Sequence, residues 1–265
     1  MDPTKEITKL IWSLGNYDEI AKNTMPAAIH LVERVGVGEG DEVLDVATGS
    51  GNVALLAAQR GAIVSACDLT PAMVELAGSR FASAGVSVDV IEADAEELPY
   101  EDDRFDFVLS AFGAMFAPHP DIVARQMFRV AKPGGLVGMA NRPPDSLLGR
   151  QTQIMQSFAP GDPPEFDPLL WGTEEGIAEW LGPHADEIET ARLSASEEYE
   201  SWDDLVRQYE SNLGPAIALK HVIEPERYNQ MMQEIRAVYE SFNQARDGRI
   251  VADSEYLQVI ARKRA

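Results

Sequence analysis

Residues 43–52 read Val-Leu-Asp-Val-Ala-Thr-Gly-Ser-Gly-Asn, and no other stretch constrains the fold as tightly. An apolar run carries one acid, Asp45, and then breaks into Gly49-Ser50-Gly51. A helical pattern follows through Ala54, Leu55, Leu56 and Ala58. The chain therefore leaves a buried strand, turns tightly and enters a helix N-terminus. Glycine permits both the turn and a close backbone approach to a ligand. The helix start adds amides without intrahelical partners. Together these make a small-ligand site of bare amides and one carboxylate.

Outside this stretch, apolar segments of two periodicities alternate. Strands are predicted at 43–46, 62–67, 87–91, 105–110 and 135–140, and helices at 52–59, 71–84 and 121–131. That order implies βαβ units, a parallel sheet and helices on both faces. Pro71 suits a first helical position after the cap Thr70. Lys132-Pro133-Gly134-Gly135 ends one helix and opens the next strand. Two helical segments, 5–14 and 17–35, lead into this region and break at Gly15-Asn16. Beyond Asn141 the texture changes. Residues 143–183 are rich in Pro and Gly, with a loop at 161–168 and helical pieces at 146–158 and 173–182. A strand is predicted at 186–197. Helices between 201 and 245 break near Gly214-Pro215 and Glu224-Pro225, and a last strand runs from 254 to 264.

Composition narrows the function. The 265 residues suffice for one large α/β domain with a lid, or for two small ones. No run approaches the length of a membrane span, and the N-terminus lacks a signal-peptide pattern. The one cysteine, Cys67, lies in a strand-like run, which excludes an intrachain disulfide and a cysteine metal cluster. These features point to a cytoplasmic protein. With 22 basic and 44 acidic residues the net charge is −22, a field that repels nucleic acid. The acidity reads first as a solvated surface, of the kind that suits a salty cytoplasm.

Gly49-Ser-Gly51-Asn-Val-Ala54 fits G-x-G-x-x-G/A, a weak signal alone. Its first reading is dinucleotide binding, with Asp68 as the ribose-binding acid after the second strand. Asp45 argues against it, because a pyrophosphate site would not welcome a carboxylate inside the strand. A second acid, Asp94-Ala95, follows the third strand. Phe105-Asp-Phe-Val-Leu-Ser110 and Pro133-Gly-Gly135 complete a familiar order.

This ordered set resembles the class I S-adenosylmethionine-dependent methyltransferases, and among them the ubiquinone/menaquinone-biosynthesis-like small-molecule group. The matching residues are Val43-Leu-Asp-Val-Ala-Thr-Gly-Ser-Gly51, Asp68-Leu-Thr-Pro-Ala-Met73, Glu92-Ala-Asp-Ala-Glu-Glu-Leu-Pro-Tyr100, Phe105 to Ser110 and Arg129-Val-Ala-Lys-Pro-Gly-Gly135. The leader Trp12-x-x-Gly15-Asn-Tyr17 is also similar to members of this group. One departure is Ala47-Thr48, where the family more often has Gly-Cys.

The resemblance implies a Rossmann-like, doubly wound, mostly parallel seven-stranded sheet with a helical lid and insertions. It implies one domain: an N-terminal cap (1–36), a cofactor-binding core (37–141), a lid and acceptor-side insertions with one strand (142–253), and a final strand (254–264). The implied cofactor is S-adenosylmethionine, which carries an amino-acid tail, a sulfonium, a ribose and an adenine but no phosphate. Asp45 would orient the glycine turn and the tail ammonium. Ala47, Gly49 and Gly51 would let the backbone approach the tail and ribose. Asp68 would accept from the ribose diol, and Leu69 and Met73 would sandwich the adenine. Asp94 would accept from the adenine amino group while the Ala95 amide donates to the ring. Ser110 and Phe112 leave the fourth strand where the methyl group should point. Tyr17 belongs to a leader helix that closes over the cosubstrate.

Competing readings stand beside these. Asp45 also suits a turn-satisfying carboxylate, Asp94 a solvated acidic turn, and Tyr17 a packing tyrosine. Cys67 reads as a buried strand residue. None of His30, His119, His184 and His221 has metal-ligand spacing to another, and no metal is expected. His119 and Tyr17 are the candidate bases, His119 reading first as a loop histidine. In-line methyl transfer relies on alignment and needs a base only for a protonated nucleophile. Phe112, Met115 and Phe116 are the candidate acceptor contacts, set apart by their place after the fourth strand.

The predicted activity is methyl transfer to a small apolar or aromatic acceptor at O, N or C. Nucleic-acid methylation is disfavoured by charge and by Ser110-Ala-Phe-Gly113 standing where an Asn/Asp-Pro-Pro-aromatic motif would be. The alternatives are a nicotinamide-dependent oxidoreductase, against which Asp45 and Asp94 speak, and a non-catalytic cofactor-binding protein of the same fold. The sequence leaves the oligomeric state open, a homodimer included.

Overall fold

The computed structural model describes residues 3–161 and 166–265. Half of the loop read at 161–168, residues 162–165, lies outside the described residues. Two helices lead the chain, α1 (Pro3–Ser13) and α2 (Tyr17–Val35). Then follow β1 (Glu42–Val46), α3 (Asn52–Gln59), β2 (Ile63–Asp68), α4 (Pro71–Ala84), β3 (Val88–Glu92) and β4 (Phe105–Ala111). After a 3₁₀ turn at Ala114–Phe116 come α5 (Pro120–Val130) and β5 (Ala131–Asn141). The second half holds α6 (Leu147–Phe158), a 3₁₀ turn at Pro168–Gly172, α7 (Glu174–Trp180) and β6 (Ala185–Tyr199). It closes with α8 (Trp202–Asn212), α9 (Gly214–Val222), α10 (Pro225–Phe242) and β7 (Ile250–Lys263).

The seven strands form one sheet in the order β3-β2-β1-β4-β5-β7-β6. β1 to β5 are parallel, and β7 runs antiparallel to both β5 and β6. Helices cover both faces, so β1 and β2 are buried over almost their whole length and read as continuous apolar runs. β6 alternates instead, and its charged Glu187, Glu189 and Glu198 blunt the sheet edge. The strand order reverses between β1 and β4. In open α/β sheets that reversal leaves a crevice outside the carboxyl ends of the strands, where ligands bind.

Three large cores and a small cluster of Ala27, Ala140 and Tyr256 hold this arrangement among the described residues. One face of the sheet packs Val46, Val108 and Met139 against Met127 of α5 and Trp171. The opposite face packs Val43, Val64 and Leu109 against Leu31 of α2, Val53 of α3 and Phe81 of α4. A separate core joins α6, α8, α9 and α10 to the far ends of β6 and β7 around Tyr199, Tyr209, Tyr239 and Ile250.

The structure corrects several boundaries. β5 begins at Ala131, four residues before the predicted strand. Phe105 pairs with Ala131 but Phe107 with Leu136, so Lys132 to Gly135 bulge out of register. Lys132 uses that bulge to reach the Asp106 carboxylate at 2.9 Å. β7 begins at Ile250 rather than 254, because its pairing with β6 extends past the rest of the sheet. The helix predicted at 173–182 is shorter, Glu174–Trp180, and Thr173 caps it through the Gly176 amide.

Candidate functional site

The glycine loop after β1 is held from both sides. Asp45 is buried, and its Oδ2 accepts from the Thr48 hydroxyl at 2.6 Å and the Ala54 amide at 3.0 Å. Ala54 lies in the first turn of α3, so this carboxylate caps the helix from the neighbouring strand. Burial pushes the Asp45 carboxyl up to about 7, against the downward pull of these two donors. The loop's other tie is Asp68 at the end of β2. Its Oδ2 accepts from Gly49 N–H at 2.8 Å and its Oδ1 from Thr70 N–H at 2.9 Å. Burial raises the Asp68 carboxyl too, and the two amides oppose that shift.

Glycine is required at Gly51 for a specific reason. It caps α3 in the left-handed region at φ 87°, and a Cβ there would lie 2.5 Å from the Phe81 ring. Gly113 is required for another. A Cβ on it would meet the Ala47 carbonyl oxygen at 2.2 Å. The loops after β1 and β4 thus touch through backbone at the point where strand order reverses. Two non-glycine residues flank this contact with positive φ, Ala47 at 53° and Phe112 at 61°. Such conformations are costly and persist where surrounding structure enforces them, often at functional sites.

The structure brings Asp45, Ala47, Gly49, Gly51, Asp68 and Phe112 to one end of the sheet. Leu69 follows Asp68 half-buried, and Met73 is buried in the first turn of α4. Asp94 and Ala95 follow β3, the next strand along. Asp94 is already engaged: Lys5 of α1 reaches it at 2.6 Å and also pairs with Glu96. The leader helix therefore clamps the acids after β3. Ser110 is buried and its Oγ accepts from Ala114 N–H at 3.0 Å, which shapes the turn after β4. Tyr17 is buried, accepts from the Gly214 amide at 3.2 Å and so joins α2 to α9. Burial raises its phenol, which disfavours it as a base.

One expected acceptor contact comes out differently. Met115 is completely buried in the core against α5, so Phe112 and Phe116 are left as the half-buried aromatics at the mouth. The His119 side chain is 53% exposed, and its Nδ1 lies 3.0 Å from Glu96. It makes a pair with Glu96 at the surface, just ahead of α5. Sequence reasoning missed Arg142. Its guanidinium lies 5.7 Å from the Phe112 ring centroid and 5.9 Å from that of Phe116. It also missed Glu197, buried beneath the Tyr199 and Tyr239 hydroxyls at 3.1 and 3.0 Å. An Arg-Pro-Pro directly after a predicted strand was the one signal for the first. For the second, one acid of the run Glu197-Glu198-Tyr199-Glu200 on an edge strand gave none. A hollow of about 470 Å³ between α8 and α9, lined by Asp203, Glu210 and Lys220, lies away from all of these residues. It is an open, charged surface and carries no chemistry.

The donor set decides between ligands. A dinucleotide pyrophosphate would need the first-turn amides of α3, and the Asp45 carboxylate takes one of them. A phosphate-free ligand with a cationic centre fits two carboxylates and a glycine loop.

Residues 43–135 match the family described as Methyltransferase domain. An uncharacterized protein of Mycobacterium tuberculosis is 34% identical over 264 residues, covering 97% of this chain and 94% of its own. The ubiquinone/menaquinone biosynthesis C-methyltransferase UbiE of Pseudomonas paraeruginosa is 34% identical over 160 residues, 55% of this chain and 62% of its own. The chain belongs to the class I S-adenosylmethionine-dependent methyltransferases. The crystal structure of Bacillus subtilis YcgJ has the same fold, with a TM-score of 0.65 at 18% identity over 91% of this chain and 99% of its own. The methyltransferase uses S-adenosylmethionine as its cofactor, and the carboxylate-flanked glycine loop suits that phosphate-free molecule. Among the described residues, no helix of the methyltransferase is long and apolar enough to cross a membrane.

Proposed function

We propose that this methyltransferase methylates a small, largely apolar or aromatic metabolite at O, N or C. The carrying observation is Phe112. It stands in a left-handed conformation at the end of β4, beside the backbone contact between Gly113 and Ala47. Its ring packs edge-to-face on Tyr256, with centroids 5.8 Å apart, and lies 5.7 Å from the Arg142 guanidinium. Beyond it Phe116 and Trp12 pack together, their ring centroids 5.1 Å apart.

The cosubstrate supplies a methyl group activated on a sulfonium. The protein's residues bind, orient and exclude water. Asp68 retains lone pairs for a ribose diol after accepting from Gly49 and Thr70. Leu69 and Met73 offer the apolar walls for an adenine, and the Ala95 amide and Asp94 its polar edge. Asp94 must share its carboxylate with Lys5. Asp45 acts through the loop, as it is already occupied by Thr48 and Ala54. Much of the rate gain is expected from alignment of acceptor and methyl, which requires no dedicated base.

A screen with methyl-labelled S-adenosylmethionine against small aromatic metabolites, read by mass spectrometry, tests this. Labelled small-molecule product is expected, and none from RNA or DNA. A wild-type protein that binds a nicotinamide dinucleotide but not S-adenosylmethionine would overturn it.

A further inference from the structure

Arg142 follows β5 directly, and β5 ends beside β4: the Phe112 amide donates to the Ala140 carbonyl at 2.9 Å. Arg142 is thus placed at the acceptor side of the mouth. Its Nε is buried with no hydrogen-bond partner among the described residues. Among them its guanidinium makes no close ion pair, though the charge of the buried Glu197 acts on it from farther off. Arginines used structurally here behave otherwise. Arg129 donates to the Leu98 and Tyr100 carbonyls, each at 2.7 Å, and pairs with Asp102. Glu197, the buried acid near Arg142, is instead held by Tyr199 and Tyr239. Burial of the Nε donor without a hydrogen-bond partner is costly even with the Glu197 charge nearby, and a ligand anion within hydrogen-bond reach would relieve that cost.

The neighbouring residue supports the same reading. Asn141 is 1% exposed, yet neither its Oδ1 nor its Nδ2 has a partner among the described residues. It pairs with Leu257 across the sheet and so shares the face on which Phe116 packs. A planar cation edged by two aromatic rings and an unused amide therefore belong to consecutive residues at one strand end.

We propose that Arg142 and Asn141 form an anion-recognition subsite, and that the acceptor is an aromatic carboxylate. The carboxylate takes the guanidinium and the Asn141 amide, and the ring lies against Phe112 and Phe116. The planar fork of arginine matches a carboxylate in a way a lysine does not. This rests on the aromatic-acceptor reading above and adds a charge requirement to it.

Calorimetry on protein saturated with S-adenosylhomocysteine tests the subsite. The probes are benzoate, 4-hydroxybenzoate and 3-(4-hydroxyphenyl)propionate, each against its amide. The wild type is expected to favour carboxylates by about tenfold or more, and Arg142→Met to erase that preference. Arg142→Lys should retain part of it. Asn141→Asp, which adds a like charge, should weaken the carboxylates alone and serves if Arg142→Met misfolds. Affinity for S-adenosylhomocysteine should stay within about twofold in every variant. Equal binding of acids and amides, or no carboxylate bound, overturns the proposal. So does loss of S-adenosylhomocysteine affinity in Arg142→Met, which would place the guanidinium on the cofactor tail. Failure of the underlying reading looks different: the wild type would not bind S-adenosylhomocysteine at all.

Discussion

The Gly49 amide donates to the Asp68 carboxylate at 2.8 Å, tying the loop after β1 to the end of β2. Nineteen residues separate the two in sequence. The bond fixes the loop and orients the carboxylate in one step.

Replacing Asp68 tests both effects. Asp68→Ala is expected to weaken S-adenosylmethionine binding by about 1–3 kcal/mol, the cost of hydrogen bonds to a carboxylate. Asp68→Asn should fall between, since its amide can accept from only one of Gly49 and Thr70. Isothermal titration with S-adenosylmethionine measures it. Unchanged affinity in Asp68→Ala would remove this residue from the binding site.

Asp45 should give stability a pH dependence. Its carboxyl is raised from 3.8 to about 7 by burial. The native state therefore holds its proton over that interval while the unfolded chain releases it. Stability from this group is complete below about pH 4 and declines as pH rises through about 7. Asp68 is shifted in the same direction. Asp45→Asn cannot ionise, so its melting temperature should fall less than that of the wild type between about pH 4 and 7. Parallel wild-type and variant curves across that range would refute the assignment.

Gly113→Ala should damage the site through backbone. The added Cβ would meet the Ala47 carbonyl oxygen at 2.2 Å, and no flexible side chain can give way. A loss of roughly 1–3 kcal/mol in stability is expected, as for overpacked positions, with a raised KM for S-adenosylmethionine. Thermal melts and initial-rate kinetics read the two effects. A variant with wild-type values in both would mean that the loops after β1 and β4 move apart freely.

Much of the fold is legible in the sequence because its determinants are local. Val43 to Val46 is an apolar run too short for a helix, and Pro71 after Thr70 marks a helix start. Gly214-Pro215 and Glu224-Pro225 break the late helices at the expected places. The bulge at Lys132 to Gly135 is not legible, since it depends on Lys132 finding Asp106 across the sheet. Asp45 and Asp68 stand out as acids in and after strands. Met115 misleads, because helical turns and pocket walls use the same apolar residues, and only packing separates them.

The amino-acid sequence by itself determined the order of strands and helices, the glycine loop and the acids that follow the strands. Those features arise from short-range periodicity and turn chemistry, which operate within a few residues. Tertiary structure alone decided which groups lack partners. Arg142 and Asn141 are ordinary polar residues in the sequence, and so is Glu197. The burial of Asn141 and Glu197, and the lack of partners among the described residues at Arg142 Nε and on the Asn141 amide, follow from packing by elements distant in the sequence. Desolvation depends on everything packed around a group, so no local pattern announces it.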